Sequence, residues 1–258
     1  MSKEIIEVIN NFNPKNLNLP NLYRWDDKFK RYYFEIDNVT DEVTFYPSVT
    51  TILSKVLPES EFLSMKKTEL GKEYWTWMNE LASQGTFIHQ ELAGFFETGT
   101  IDFTTIQDRI KNYILESKQQ YSVSSWCRVV LPKIISFIKF AEECNVEPIL
   151  IESTVKFNDD NLKWAGTIDL LAYIDINKKG FWGDVYKSDA THGKKGDPKE
   201  STKVFRELCL IDFKSGTADI DSYAMQLQMY KLAIEQNMNI QIDNIVNVKP
   251  KEYKSGNV

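Results

Sequence analysis

Apolar and polar positions alternate with period two along several stretches in the second half of the chain, the mark of strands with two distinct faces. Residues 149–157, led in by Pro148, put Glu152, Thr154 and Lys156 on one face and Ile151, Val155 and Phe157 on the other. Asn158-Asp159-Asp160-Asn161 is a turn signal. Residues 164–174 form the return strand of a hairpin, on which Asp169 shares a face with Thr167, Leu171 and Tyr173. A third strand is expected over residues 205–214, with Leu210, Asp212 and Lys214 facing one way and Cys209, Ile211 and Phe213 the other. A fourth, over residues 240–248, is ended by Pro250. Between the last two, a helix starts from a cap at Asp219 or Asp221 and runs to about residue 237. Gln226 and Tyr230 are i, i+4 neighbours on it, with Tyr223 and Ala233 on the same side.

The first half reads mostly as helix. Residues 61–82 form one, with Trp75, Trp77 and Leu81, and Gly85 precedes another. In that second helix His89, Leu92, Ala93 and Phe96 follow the i, i+3, i+4, i+7 spacing, which turns His89 inward. An inward histidine is in general more often a satisfied core residue than a ligand. Two more helices are expected over residues 104–119 and 126–145, with Pro132 marking a break or a start in the latter. Ser48 or Thr50 caps a short helix after Pro47.

Residues 1–21, Asn-rich and holding Pro14 and Pro20, read as a short helix and a loop. Residues 22–46 are dense in aromatics, from Tyr23 and Trp25 to Phe45 and Tyr46, and with a turn at Asp37-Asn38 they predict a small β-hairpin. Its rings either pack together or offer a surface on which bases could stack. Residues 175–204 are rich in lysine and glycine and read as an insertion at a hairpin tip. That insertion is either a solvated loop or a flap that touches phosphates.

Composition narrows the classes. The 258 residues suit one large domain with insertions, and a 42% hydrophobic share supports a sizeable core. The net charge of −6 is not that of a strongly basic nucleic-acid binder. It does not exclude nucleic acid, because metal-dependent nucleases combine acidic sites with local basic patches. Cys127, Cys144 and Cys209 are scattered, form no Cys-x-x-Cys pair, and are too few for the four thiolates of an iron–sulfur cluster. Sparse cysteines and a charged start, Met1-Ser2-Lys3-Glu4, fit a reducing cytoplasmic location. No apolar run approaches the roughly 20 residues that span a bilayer, so no membrane partner is expected.

The chemistry concentrates on two strands. A lone carboxylate in an apolar strand is unfavourable unless it is paired or binds metal. Asp169 and Asp212 are two such residues on strands expected to be neighbours, and Lys214 follows Asp212 on the same face. Hard oxygen ligands of this kind suit Mg²⁺ or Mn²⁺. A structural Asp–Lys ion pair is the alternative for either strand alone.

Gly166-Thr167-Ile168-Asp169 followed by Ile211-Asp212-Phe213-Lys214 resembles the PD-(D/E)XK nuclease signature, in its Asp-x-Lys variant. Gly85-x-x-x-His89-x-x-Leu92 resembles the first motif of RecB-like nucleases, and Gln226-Leu227-Gln228-Met229-Tyr230 their Gln-x-x-x-Tyr helix. Residues 46–53 are similar to the start of many phage-type members, so the resemblance covers roughly residues 46–250. It implies an α/β fold with a restriction-endonuclease-like core, a central mixed β-sheet flanked by helices. To this core are added the helical N-terminal half and the small N-terminal hairpin. Residues 1–45 are then an extension, and residues 46–258 the nuclease domain with its insertion at 175–204.

The resemblance further implies that His89, Asp169, Asp212 and the backbone carbonyl of Phe213 hold the metal. Asp169, Asp212 and Lys214 are the catalytic set it implies, and Gln226, Tyr230 and, more loosely matched, Glu152 line the substrate side. The expected function is a metal-dependent deoxyribonuclease, within that class an exonuclease, acting in recombination, repair or viral DNA processing. Its partners are DNA and recombination or replication proteins. A DNA-end-binding protein on the same fold that has lost cleavage is the competing expectation, and the intact set His89, Asp169, Asp212 and Lys214 argues against it. The insertion at 175–204 is longer than a usual hairpin loop and departs from the family pattern.

Overall fold

The computed structural model describes residues 22–27, 30–37, 39–117, 121–176, 205–215 and 220–250. The helix expected within residues 1–21, the insertion beyond Ile176 and a cap at Asp219 lie outside them. Asp221 lies inside its helix and is not the cap.

The fold is mixed α/β, with a mixed central sheet flanked by helices. Strands β4 (Glu147–Asn158), β5 (Lys163–Ile176), β6 (Phe205–Phe213) and β7 (Asn244–Val248) follow one another in space as in sequence. β4, β5 and β6 pair antiparallel, and β7 pairs parallel to β6. A parallel neighbour needs a crossover, and the helix α6 (Ile220–Met238) supplies it.

The N-terminal half supplies α1 (Val49–Val56), α2 (Glu61–Leu70), a 3₁₀ turn (Gly71–Glu73), α3 (Tyr74–Thr98), α4 (Ile106–Glu116) and α5 (Val123–Glu143). Ser48 is the N-cap of α1, its hydroxyl accepting from Thr51 N–H at 3.1 Å. The aromatic N-terminal segment forms three strands, not a two-stranded hairpin. β1 (Tyr23–Asp27), β2 (Lys30–Ile36) and β3 (Val43–Pro47) make an antiparallel sheet. The expected division after residue 45 falls inside β3.

Two helix boundaries differ from expectation. The break comes at Gly71, with φ +54°, and Gly85 lies inside the 25-residue α3. A positive φ suits glycine, whereas a helical glycine is only mildly unfavourable. Pro132 also sits inside α5, and the helix runs through it. The buried stripe Trp126, Val130, Ile134, Phe137 and Ala141 spans the proline, so tertiary packing outweighs the lost N–H bond.

The central sheet separates two cores. Leu170, Ala172, Ile174, Cys209, Ile211 and Phe213 face α3, α4 and α5. Ile168, Leu171, Leu208 and Leu210 face α1 and α6. Strict alternation fails at two places. On β4, Ile151 packs toward the first core, but Val155 and Phe157 pack into the second. On β5, Leu171 and Tyr173 pack into the second core, away from Asp169, which meets His89 on α3. The shared faces read from the sequence therefore break at Glu152 and Asp169. Glu152 has φ +43°, a left-handed conformation that resets the pleat.

A small third cluster joins Tyr33 and Tyr46 of the N-terminal sheet to Ala165 of β5. The Tyr33 and Thr167 hydroxyls lie 3.0 Å apart, Glu35 pairs with Lys156 and Tyr46, and Ser48 bridges to Ala165. No helix among the described residues is long and apolar enough to cross a membrane.

Candidate metal and phosphate site

The site forms where β5 and β6 stop pairing. Their last paired residues at this end are Leu170 and Ile211, and continuing that register places Asp169 opposite Asp212. The ladder is replaced there by a side chain: Phe213 N–H donates to Asp169 Oδ2 at 2.7 Å. β6 remains anchored on its other edge, where Lys214 N–H donates to the Val248 carbonyl at 2.9 Å. The chain end carrying Asp212 and Lys214 is thus held by β7 while it parts from β5.

α3 brings His89 over this opening. His89 Nδ1 lies 3.4 Å from Glu152 Oε1 and 3.4 Å from Asp169 Oδ1, and Nε2 lies 3.0 Å from the Phe213 carbonyl. Burial would lower the imidazole pKa, but the charge and hydrogen bond of Asp169, then those of Glu152, hold it up at about 11. Which of the two ring nitrogens donates depends on the tautomer, and as a metal ligand the ring would be neutral and offer one nitrogen to the ion. Side-chain exposures of 38% for Glu152, 27% for His89 and 11% for Asp169 show that the cluster reaches solvent.

Donor atoms of His89, Glu152 and Asp169 all lie within 4.8 Å of one another, so the three could hold one cation. Glu152, matched from the sequence to the substrate side, has its carboxylate in the group that could hold a cation. A residue other than glycine, asparagine or aspartate in a left-handed conformation is uncommon, and such strain concentrates at functional sites.

Asp212 stands outside that trio. Its carboxylate is buried, and its Oδ2 lies 2.7 Å from Lys214 Nζ as an ionic contact without hydrogen-bond alignment. Burial, then the charge of Asp169, push its pKa up to about 6, against the opposing pull of Lys214 and His89. An oxygen so buried, facing a second carboxylate and lacking an aligned donor, suits a cation beside it. The full donor set of carboxylates and one imidazole fits a divalent ion without selecting one.

α6 builds the opposite wall. Lys214 Nζ donates to Gln226 Oε1 at 3.4 Å, and Gln226 Nε2 donates to the Tyr230 hydroxyl at 3.3 Å. Tyr230 is buried, which raises its pKa above the ordinary tyrosine value. The Gln226 hydrogen bond opposes that shift, and Tyr33, Asp169 and Asp212 add to it. Gly166 makes room for this tyrosine, because a Cβ there would lie 2.4 Å from Tyr230 Cε1.

All eight residues expected at the site are linked by direct contacts in one neighbourhood. Three contributors were missed. Tyr33 reaches Thr167 across 134 residues, a contact that no periodicity encodes. Lys133 Nζ donates to the Ser215 carbonyl at 2.5 Å, directly after Lys214. Tyr223 lies beneath Lys214, with its ring centroid 4.1 Å from Nζ. Its place on the Gln226 face of α6 was the signal available in the sequence. No protein-family model, curated protein or solved structure matches the chain.

Proposed function

We propose that this protein is a metal-dependent deoxyribonuclease of the PD-(D/E)XK type, with a restriction-endonuclease-like core and of the RecB-like exonuclease branch. The observation that carries the reading is the parting of β5 and β6 at Asp169 and Asp212, with His89 above and Lys214 beside them. A structural ion pair would need no early end to the strand ladder and no second carboxylate near enough to raise the pKa of Asp212.

His89, Glu152, Asp169, Asp212 and the Phe213 carbonyl are the groups that would hold Mg²⁺ or Mn²⁺. Such an ion, when bound, lowers the pKa of water and offsets charge on a phosphoryl oxygen. The protein's own part is positional and electrostatic. Asp169 fixes Phe213 through the backbone N–H and so sets where its carbonyl points. Lys214 presents an ammonium at the rim, where a phosphate would gain negative charge as the bond is attacked. Gln226 and Tyr230 contribute neutral hydrogen bonds beside it, which position a sugar–phosphate backbone without reading sequence.

The test is cleavage of end-labelled linear DNA and closed-circular DNA, with and without Mn²⁺. Metal-dependent loss of linear DNA with the circle spared supports the exonuclease. Cutting of both forms corrects it to an endonuclease, and DNA binding without cutting supports the end-binding alternative.

A further inference from the structure

Lys214 Nζ has three partners of three kinds. Asp212 Oδ2 lies 2.7 Å away, Gln226 Oε1 3.4 Å, and the Tyr223 ring centroid 4.1 Å. An ammonium carries three N–H donors on a flexible four-carbon stem, and left alone it samples many directions. Here a carboxylate, an amide oxygen and a π face enclose it. Tyr223 and Gln226 lie three residues apart on α6, so one helix face supplies both. The stem springs from Lys214, whose backbone is tied to Val248 by the 2.9 Å hydrogen bond. Both ends of the side chain are thereby fixed by elements flanking the site.

The three partners differ in what they do to the charge. Asp212 attracts the ammonium but also neutralises it. An aromatic face attracts a cation through its quadrupole and carries no net charge. It can therefore hold the ammonium without cancelling it. A second carboxylate in that position would hold the lysine equally well and leave nothing for a phosphate.

We propose that Tyr223 is a positioning residue. Its ring holds the Lys214 ammonium by a cation–π contact and sets the direction from which that charge meets the phosphate under attack. The inference rests on the nuclease reading for its substrate, but the Lys214–Tyr223 contact can be measured without it. An aliphatic side chain of similar size would fill the same space and supply no such attraction.

The test uses the full-length protein with Tyr223→Phe, with 4-fluoro-, 3,5-difluoro- and 3,4,5-trifluorophenylalanine at that position, and with Tyr223→Leu. Fluorine drains the ring face while nearly preserving its shape. We expect Tyr223→Phe to keep most of the wild-type rate. With each added fluorine, log kcat on linear DNA with Mn²⁺ should fall in even steps, while KM and the Mn²⁺ activation constant stay constant. Tyr223→Leu should lose about tenfold, the scale of one cation–π contact. In parallel, the Lys214 ε-CH₂ proton signals should be shifted upfield by the ring current in wild type and return downfield in Tyr223→Leu.

A flat fluorine series in protein that cleaves would overturn the proposal. Unshifted Lys214 signals in wild type would overturn the contact itself. A wild-type protein that shifts those signals yet cleaves no DNA would instead remove the nuclease reading and, with it, the role assigned here.

Discussion

The carboxylate of Asp169 accepts the backbone N–H of Phe213 at 2.7 Å, where the β5–β6 ladder has ended. The same side chain also meets His89. Asp169→Asn keeps an acceptor for that N–H and should fold, but it should lose cleavage and bind Mn²⁺ weakly. Asp169→Ala leaves the donor unpaired and should lose a further 1–3 kcal/mol or so in chemical denaturation. Equal stability of the two variants would mean that water replaces the carboxylate.

Asp212→Asn should abolish cleavage and stabilise the metal-free protein. The folded-state pKa is raised to about 6, so between the ordinary aspartate value and that pKa the folded state holds a proton the unfolded state has released. Stability is therefore lost as pH rises through this window and stays reduced above it. The melting temperature of Asp212→Asn should exceed wild type by several degrees near neutrality. The gap should close toward the acid end of the window. A gap independent of pH would assign the effect to packing.

Lys214→Ala should leave Mn²⁺ binding, followed by calorimetry, largely intact. Its rate should fall by about 10²–10⁴-fold, the usual scale for one positioned proton-transfer or charge-stabilising group. Loss of metal affinity with an unchanged rate per bound ion would instead make Lys214 a support for Asp212.

His89 bears on metal choice. Imidazole suits Mn²⁺ better than Mg²⁺, which prefers oxygen shells. His89→Ala should erode Mn²⁺-supported cleavage before Mg²⁺-supported cleavage. An unchanged preference would return His89 to the role of a core histidine that balances two carboxylates.

Gln226 and Tyr230 should be separable. Gln226→Ala slows cleavage with little change in stability, since the side chain is only half-buried. Tyr230→Phe removes one neutral hydrogen bond, worth about 0.5–1.5 kcal/mol. Gly166→Ala pushes a Cβ into the Tyr230 ring and should be destabilising by about 1–3 kcal/mol, as overpacking usually is. Wild-type cleavage by both Gln226→Ala and Tyr230→Phe would reduce α6 to scaffold.

The sequence pattern carried the order helix, three strands, helix, strand, because each strand of the central sheet has two apolar faces or a regular alternation. The placing of Asp212, near the end of β6, and Lys214, just beyond it, on one side followed from the period of two alone. The company of Glu152 was not legible, because alternation is interrupted at that residue and a left-handed glutamate has no sequence signal. The length of α3 was hidden by Gly85, whose cost in a helix is small against the packing of Phe87, Ile88 and Leu92. The third N-terminal strand was hidden in a run of aromatics with a single visible turn.

The reset of the pleat at Glu152 and Asp169 divides the β4–β5 hairpin into two lengths with different covers. One length lies under the helical layer, through Ile151, Leu170 and Ala172. The other lies under the N-terminal sheet, through Ala165 and Thr167. His89, Glu152 and Asp169 reach solvent at the seam between those covers. Repacking Tyr33 or Tyr46 would disturb the cover over Ala165 and Thr167, and at Tyr46 the contact with Glu35, the partner of Lys156, whereas the contacts among His89, Glu152 and Asp169 involve neither ring.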